Sequence, residues 1–468
     1  MGNDKRKVVI IGGGPGGYYA AIKLAKQKLD VTVIEKEHLG GVCLNTGCIP
    51  TKALLDNLSL FEHFKYLQEK KNIFSGKDLK INCNDLQNFQ NEVIVQLRGG
   101  LEKIFSKGGI KVVRGKAKLV SSEKILIQSN SGEIEINADE IIIATGSSPR
   151  PVPGFNFDGN LIVSSDDVWN TPKIPKNLLV IGSGPIGIEF ARVYNILGSS
   201  VTISEIKEKI CPILDPELSE NLVRSLKKRN IALRPNHASK FLKKENDTVA
   251  VEFISTQENK KETSNFDLVL VAVGRDPNTK DLGLEDLNIE MDKGIFIKVN
   301  EYLETNIKNI WAIGDVTSFP QLAHTASFQA RVVAGNILGL KTAFDGRFIP
   351  SCIFGYPEIA FVGETEDTLK EENISYTTGK FLFLASGKAK ASGLTEGLVK
   401  VLVDKNTKKI LGAHIIGPEA SNLVHELVIA MQNDLTVNQI ISSIHAHPTY
   451  SEVVLEALEN SVGESVHV

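Results

Sequence analysis

Residues Val8-Val9-Ile10-Ile11-Gly12-Gly13-Gly14-Pro15-Gly16-Gly17 decide the fold of this 468-residue chain, because an apolar run leads directly into a glycine-rich turn. A short apolar run that ends at a turn is typical of a buried strand in a parallel sheet. The next stretch, from Tyr18 to Lys28, has the pattern of a helix. A second apolar strand, Val31 to Ile34, follows and ends on Glu35. The sequence therefore predicts a strand–turn–helix–strand unit at its beginning.

The same unit returns 170 residues later. Leu178 to Ile181 leads into the second glycine turn, and a helix follows. The strand Val201 to Ile203 comes next, and the acid Glu205 stands two positions after its last residue. In both copies the acid lies 23 positions after the first glycine. The glycines of the two GxGxxG patterns are Gly12, Gly14 and Gly17 in the first copy and Gly182, Gly184 and Gly187 in the second.

Both units have the features of a dinucleotide site. The glycines let the backbone approach a pyrophosphate, and the start of the helix supplies unpaired N–H donors and a favourable dipole. The acid, Glu35 or Glu205, accepts hydrogen bonds from ribose hydroxyls. Glycine turns without a ligand are the alternative, but a full fingerprint in both copies favours binding. A carboxylate at Glu205 also repels a 2′-phosphate, which favours NAD over NADP, although Lys207 and Lys209 stand nearby.

After each of the two units, a further apolar strand ends in an Ala-x-Gly segment. Glu140 to Ile143 leads to Ala144-Thr145-Gly146, and Leu268 to Val271 leads to Ala272-Val273-Gly274. A third such segment, Ile310 to Asp315, returns the chain to the first domain, so the second domain is inserted in the first. From about Phe348 the pattern alternates, which predicts an antiparallel sheet with helices at 420–433 and 437–443. The predicted fold is α/β, with two Rossmann-like domains and a C-terminal α+β domain; the predicted boundaries are 1–150, 151–272, 273–346 and 347–468.

The composition excludes several classes of function. Lys and Arg number 53 against 56 Asp and Glu, so the net charge of −3 gives no electrostatic basis for binding nucleic acid or an anionic membrane. No apolar run approaches the roughly 20 residues of a membrane helix, and the first apolar run is too short for a signal peptide. These features predict a cytoplasmic protein.

Two of the five cysteines stand together in Gly40-Gly41-Val42-Cys43-Leu44-Asn45-Thr46-Gly47-Cys48-Ile49-Pro50-Thr51-Lys52. A zinc site would need a closer spacing and a second pair of ligands, so no metal is expected. On a regular helix, residues five apart point about 140° apart, so a bridge between them needs a distorted segment. Labile disulfides are the catalytic ones, and we therefore predict a redox role for Cys43 and Cys48 rather than a structural one. Cys83, Cys211 and Cys352 have no such neighbourhood.

On these motifs the chain resembles the pyridine nucleotide–disulfide oxidoreductases and, among them, the branch that oxidises dihydrolipoamide. The resemblance covers essentially the whole chain, including VGRDPN, AIGD, LAHTAS and the C-terminal HAHPTYSE. It implies that the first domain binds FAD, that the second binds NAD, and that the C-terminal domain forms a homodimer. The position before Cys43 departs from the pattern, with Val42 where the family usually has Thr, and Pro185 stands where the family often has Val or Tyr.

The resemblance also implies roles for individual residues. Cys43 exchanges with the substrate, Cys48 faces the flavin, and His447 with Glu452 forms a base dyad contributed by the other subunit. Histidine titrates in the range that thiol deprotonation needs, and a carboxylate fixes its tautomer; His445 and His324 are expected to be structural. The remaining cofactor contacts are expected at Lys52, which pairs with Glu189, and at Ala117, Thr145, Gly146, Gly274, Asp315 and Ala323.

The expected activity is oxidation of protein-bound dihydrolipoamide to lipoamide with reduction of NAD to NADH. The expected partners are a lipoyl-bearing acyltransferase of a 2-oxoacid dehydrogenase complex or the carrier protein of glycine cleavage. The rival interpretations are a glutathione-reductase-like or mercuric-reductase-like enzyme, or a flavoprotein subunit without turnover. A glutathione-reductase-like enzyme would be expected to have basic residues around Glu205, and a mercuric-reductase-like enzyme would be expected to have extra C-terminal cysteines. The presence of Cys43, Cys48, His447 and Glu452 argues against a subunit without turnover.

Overall fold

The computed structural model describes residues 5–75, 79–170, 173–258 and 260–467. They form two compact units. The first unit comprises the chain up to Arg150 together with Arg275–Gly346, and the second comprises Pro151–Gly274 together with the chain from Arg347 onward. None of the helices within these described ranges combines the length and apolar character needed to span a bilayer.

The first unit begins with the predicted strand–turn–helix–strand segment. A small antiparallel sheet, made of the fourth, fifth and sixth strands, follows it in the chain. The elements up to Arg150 are β1 Lys7–Ile11, α1 Pro15–Lys26, β2 Asp30–Glu35, α2 Gly41–Asn45, α3 Cys48–Lys71, α4 Cys83–Gly108, β3 Lys111–Arg114, β4 Lys116–Ser121, β5 Lys124–Ser129, β6 Gly132–Asn137, β7 Glu140–Ile143 and β8 Ser147–Pro149.

The second unit repeats this construction. Its elements before Arg275 are β9 Ile162–Val163, β10 Asn177–Ile181, α5 Pro185–Ile196, β11 Ser200–Ser204, α6 Pro216–Lys228, β12 Ala232–Arg234, β13 His237–Glu245, β14 Thr248–Ser255, β15 Lys261–Phe266 and β16 Leu268–Val271. A parallel sheet has the order β12-β11-β10-β16-β9, and β13, β14 and β15 form a separate antiparallel sheet.

The chain then returns to the first unit, as the sequence predicted. The elements there are β17 Arg275–Pro277, β18 Met291–Asp292, β19 Phe296–Ile297, β20 Ile310–Ala312 and α7 Ala323–Ile337. Strand β20 pairs with β7, which completes a parallel sheet of order β20-β7-β1-β2-β3. Residues Val8 to Ile11 of β1 and the isoleucines of β7 are at most 4% exposed, which explains their continuous apolar runs.

The rest of the second unit is the predicted antiparallel sheet with helices. Its elements are β21 Ser351–Ile353, β22 Ile359–Gly363, α8 Glu366–Glu371, β23 Tyr376–Leu382, α9 Gly387–Ser392, β24 Leu398–Asp404, β25 Ile410–Ile416, α10 Ala420–Gln432, α11 Val437–Ile441 and α12 Ser451–Val462. The sheet order is β21-β22-β25-β24-β23. The two predicted helices are confirmed, and each ends one or two residues earlier than expected.

A buried lysine links the two segments of the second unit. The side chain of Lys400, in β24, is fully buried. Its Nζ atom lies 2.7 Å from Asp215, 3.4 Å from Glu217 and 3.5 Å from Glu366. Asp215 also caps α6, because one of its oxygens accepts the N–H of Glu217 at 3.1 Å. The charge of Lys400 is therefore matched by carboxylates, as a buried cation requires.

His414, in β25, adds a pH-dependent contribution to this unit. Its ring is buried, with Nε2 2.8 Å from the carbonyl oxygen of Glu364. Burial lowers the pKa of His414 below its ordinary value of 6.5, so the folded protein holds the neutral ring. Below pH 6.5 the ring of His414 binds a proton in the unfolded chain but stays neutral in the folded chain. The free energy of unfolding therefore decreases as the pH falls through 6.5.

Replacing Lys400 with methionine should destabilise the protein strongly. The change keeps most of the side-chain volume but leaves the buried Asp215 without its cation, which costs about 3–5 kcal/mol. We expect the apparent melting temperature to fall by roughly 5–10 °C in a thermal unfolding scan. The matched control is Lys409→Met, because Lys409 forms an exposed pair with Asp434 at 2.9 Å in the same unit. Equal shifts for the two variants would show that the buried network contributes no more than a surface ion pair.

Candidate active site

The first glycine turn ends in an uncapped helix start. Helix α1 begins at Pro15, its N-cap is Gly14, no side chain caps it, and its first turn contains no acid. Its first N–H groups are therefore available to an anion. A Cβ atom on Gly12, whose φ is +107°, would lie 2.2 Å from the Ala144 oxygen, and one on Gly17 would lie 1.9 Å from the Gly12 oxygen. Only glycine fits at these two positions.

Glu35 is held at the end of β2 by backbone donors. One of its oxygens accepts the N–H of Gly13 at 2.7 Å, and the other accepts the N–H of Glu37 at 2.8 Å. A carboxylate offers about four acceptor sites, so each oxygen keeps capacity for a ribose hydroxyl. Together with the open helix start, this arrangement fits the pyrophosphate and ribose of a dinucleotide.

The second glycine turn repeats the first in detail. A Cβ atom on Gly182 would lie 2.5 Å from the Ala272 oxygen, and one on Gly187 would lie 2.1 Å from the Gly182 oxygen. Gly184 is the N-cap of α5, which also has no side-chain cap and no acid in its first turn. Pro185 is the first residue of α5, where a missing N–H removes no helical hydrogen bond. This site fits a second dinucleotide.

Glu205 takes the place of Glu35 in the second copy. Its oxygens accept the N–H of Ser183 at 2.9 Å, the Ser183 hydroxyl at 2.6 Å and the N–H of Lys207 at 3.0 Å. Ser183 was not predicted as a site residue, although it occupies the position that Gly13 has in the first copy. Lys209, one of the two lysines next to Glu205, forms an ion pair with Asp367.

Cys43 and Cys48 lie together across a break between two helices. Cys43 is in α2, which ends at Asn45, and Cys48 begins α3 after the turn at Thr46 and Gly47. The predicted distortion of this segment is therefore confirmed. The hydrogen bond to Cys48, then burial and the charge of a Cys48 thiolate, raise the pKa of Cys43, while Lys52 lowers it. The two cysteines are not joined by a disulfide, so the geometry is that of the reduced pair.

Tyr18 belongs to the surroundings of this pair and was missed in the sequence analysis. It lies in α1, directly after the first glycine turn. Burial raises the pKa of Tyr18, and the charges of Cys43 and Cys48 raise it further. Its phenol therefore stays protonated beside the cysteines, and it had no sequence signal beyond its place after Gly17.

The other residues expected at the first cofactor are distributed over the first unit. Ala117 is buried in β4, and Ala323 is the first residue of α7, where its N–H has no helical partner. Thr145 donates its hydroxyl to the Asn278 oxygen at 2.7 Å, and Gly146 follows it with a φ of +71°. Asp315 accepts the Ser147 hydroxyl at 2.5 Å, and burial raises the pKa of Asp315 despite this bond and the charge of Arg275.

Glu189 and Gly274 belong to the second unit. Glu189 is buried in α5, where it accepts the N–H of Phe354 at 3.1 Å. Gly274 follows β16 with a φ of +120°, a conformation that favours glycine. Lys52, the expected partner of Glu189, lies in α3 of the first unit, one turn after Cys48. The pairing of Lys52 with Glu189 stays a prediction.

The expected dyad is formed in the second unit. His447 is 76% exposed and its Nδ1 lies 2.7 Å from Glu452, whose other oxygen accepts the N–H of Thr449 at 2.7 Å. Partial burial opposes ionisation of Glu452, but the bonds from Thr449 and His447 lower its pKa below the usual value. An ionised Glu452 places the proton of a neutral imidazole on Nδ1. The exposed Nε2 is then free to accept a proton.

His445 anchors the loop that carries His447. Its Nε2 lies 2.8 Å from Glu426 of α10, and its side chain is 8% exposed. The structural role expected for His445 is consistent with this pairing. The structure thus brings the dyad residues together in one unit, and the cysteine pair with the first glycine turn in the other.

The chain matches two protein-family models. Residues 6–330 match the family described as pyridine nucleotide-disulphide oxidoreductase, and residues 349–458 match its dimerisation domain. The curated relatives include dihydrolipoyl dehydrogenase 2, mitochondrial, of Arabidopsis thaliana, which is 39% identical over 100% of this chain and 92% of its own length. Dihydrolipoyl dehydrogenase of Geobacillus stearothermophilus is 37% identical over 99% and 97% of the two chains.

Solved structures give the same result. LpdA of Mycobacterium tuberculosis has a TM-score of 0.89 at 27% identity and covers 97% of this chain and 99% of its own. The HOCl-induced flavoprotein disulfide reductase RclA of Escherichia coli has a TM-score of 0.84 at 26% identity, with the same coverage. The chain therefore belongs to the pyridine nucleotide-disulphide oxidoreductase family, whose members use FAD and NAD.

Proposed function

We propose that the protein oxidises dihydrolipoamide to lipoamide and reduces NAD to NADH. The observation that carries the proposal is the contact between the Cys43 and Cys48 thiols, across a helix break beside the first glycine turn. The similarity to enzymes named dihydrolipoyl dehydrogenase supports the choice of substrate. In this proposal residues 1–150 and 273–346 bind FAD, residues 151–272 bind NAD, and residues 347–468 form the dimer.

The thiol chemistry follows from the residues of the site. Nε2 of His447 accepts a proton from one thiol of the substrate, and the thiolate attacks Cys43 in the Cys43–Cys48 disulfide, releasing the thiolate of Cys48. The second substrate thiol then attacks the mixed disulfide, which releases lipoamide and leaves Cys43 reduced. Bound FAD supplies the means of moving the electron pair on to NAD. Glu452 stabilises the imidazolium while the proton is held.

The electrostatics of the second glycine turn support NAD as the acceptor. Glu205 presents a carboxylate where a 2′-phosphate would lie, and Lys209 is neutralised by Asp367. Arg234, the last residue of β12, is paired with Glu262 at 2.7 Å. The dimerisation domain supports a homodimer, in which we propose that His447 and Glu452 act on the disulfide of the second copy.

The proposed macromolecular partner is a lipoyl-bearing protein. It is either the acyltransferase of a 2-oxoacid dehydrogenase complex or the carrier of glycine cleavage, since both present dihydrolipoamide on a flexible arm. We also propose that the protein acts in the cytoplasm. Relatives from Arabidopsis thaliana and Caenorhabditis elegans carry the word mitochondrial in their names, whereas the relative from Geobacillus stearothermophilus does not.

Replacing either member of the cysteine pair should abolish turnover with dihydrolipoamide. We expect Cys43→Ser and Cys48→Ser to lower NADH formation by roughly 10³-fold or more, because either change removes the disulfide that accepts the electrons. The assay follows NADH absorbance after anaerobic mixing with dihydrolipoamide and NAD. Cys83→Ser is the control, because Cys83 is an exposed thiol at the start of α4. Wild-type activity on glutathione disulfide with NADPH, and none on dihydrolipoamide, would contradict the proposal.

Removing the base should separate the two halves of the reaction. In His447→Gln we expect dihydrolipoamide oxidation to fall by about 10²–10⁴-fold, since thiol deprotonation loses its acceptor. Oxidation of NADH by a quinone does not use the substrate thiols, so it should stay within about twofold of wild type. Glu452→Gln should give a smaller loss in the same direction. If both half-reactions fell equally in His447→Gln, the histidine would have a structural role and not that of a base.

A further inference from the structure

The side chain of Arg98 holds the segment that joins the two cysteines. Arg98 lies half-buried in α4, 53 positions after Asn45 in the chain. Its Nε and Nη2 atoms both donate to Oδ1 of Asn45, at 3.0 and 2.6 Å. Within the part of the chain that the structure describes, no acidic side chain pairs with Arg98. A half-buried guanidinium directed at one amide oxygen is thus available for positioning that amide.

The amide of Asn45 uses its other end within the redox segment. Its Nδ2 donates to the carbonyl oxygens of Leu39, at 3.1 Å, and Gly41, at 2.8 Å. A guanidinium can only donate hydrogen bonds and a carbonyl can only accept them, so the orientation of the amide is fixed from both sides. Asn45 is the last residue of α2 and lies between Cys43 and Cys48. Its side chain therefore sets the position at which α2 ends.

The same segment rests on the first glycine turn. The N–H of Gly40 donates to the Gly13 oxygen at 2.8 Å, and a Cβ atom on Gly41 would lie 2.7 Å from the Cα of Gly14. Arg98 and Asn45 consequently connect α4, the cysteine segment and the glycine turn. At the break itself, the Thr46 hydroxyl lies 3.5 Å from the Val42 oxygen and the Thr51 hydroxyl donates to the Gly47 oxygen at 2.6 Å. These bonds stay within α2, α3 and the turn between them, whereas Arg98 holds the segment from α4.

We propose that Arg98 and Asn45 are positioning residues that keep the thiols of Cys43 and Cys48 in contact when the disulfide is open. The proposal rests on the redox role of this pair. When a dithiol reduces the disulfide, it gives up two protons and two electrons, and each cysteine sulfur gains one of each. We call the contact between Arg98 and Asn45 the clamp. Two thiols that are already in contact lose little conformational entropy when their disulfide re-forms, so the clamp favours the disulfide over the dithiol. Without the clamp the open pair separates and re-forms its bond less readily.

The test measures the thiol–disulfide equilibrium of the purified holoenzyme in buffers of reduced and oxidised dithiothreitol. The samples are quenched with iodoacetamide, and labelling of the peptide 37–52 is measured by mass spectrometry. In Arg98→Leu we expect the equilibrium to shift towards the dithiol by about tenfold. Asn45→Asp keeps the acceptor for Arg98 but loses both donors, and should shift the equilibrium in the same direction. Arg98→Lys keeps the charge and one donor, and should recover part of the shift.

Two further comparisons make the result specific. Arg331→Leu, an exposed arginine in α7 of the same unit, should leave the equilibrium at its wild-type value. Arg98→Leu combined with Asn45→Asp should shift it by less than the sum of the single changes, because both act through one contact. An unchanged equilibrium in Arg98→Leu would overturn the clamp, as would an equal shift in Arg331→Leu. Dithiothreitol needs no lipoamide site, so failure of the proposed substrate would leave this measurement unaffected.

Discussion

The contact between the start of α1 and the end of β1 constrains the arrangement of the first unit. It is a contact of backbone with backbone, since no Cβ fits between Gly17 and the Gly12 oxygen or between Gly12 and Ala144. The close approach leaves the first N–H groups of α1 directed at the space beyond β1. It also brings the Gly13 N–H to Glu35 and the Gly13 oxygen to Gly40. The dinucleotide site and the beginning of the cysteine segment therefore depend on the same turn.

The second unit uses the same constraint with one change of chemistry. Ser183 replaces Gly13, and its hydroxyl bonds to Glu205 while accepting the N–H of Cys211 at 2.8 Å. The acid is thus held by one more donor than Glu35. Farther along the chain, the ion pair between Lys400 and Asp215 joins the C-terminal sheet to the start of α6. Glu426 pairs with His445, and Glu452 pairs with His447. Carboxylates fix the positions of the functional groups throughout this unit.

The local and repeated features could be predicted from the sequence. The strands around each glycine turn, the return of the chain at Ile310, and the C-terminal antiparallel sheet all follow from apolar runs, glycines and alternation. The contacts between distant positions could not be predicted. Arg98 has no pattern that points to Asn45, and Lys400 stands in an apolar strand as an isolated charge. The long helices α3 and α4 were also not predicted. Both have exposed as well as buried apolar residues, so their sequences do not show a single apolar face at helical spacing.

The redox role of Cys43 and Cys48 is tested most directly by the mass of the tryptic peptide from Glu37 to Lys52, which contains both cysteines. The protein is denatured and alkylated before and after anaerobic treatment with dihydrolipoamide. We expect an unlabelled peptide, lighter by two hydrogen atoms, before treatment and a doubly alkylated peptide afterwards. A peptide that is doubly alkylated before treatment, even in protein exposed to air, would contradict a reversible disulfide between these two cysteines.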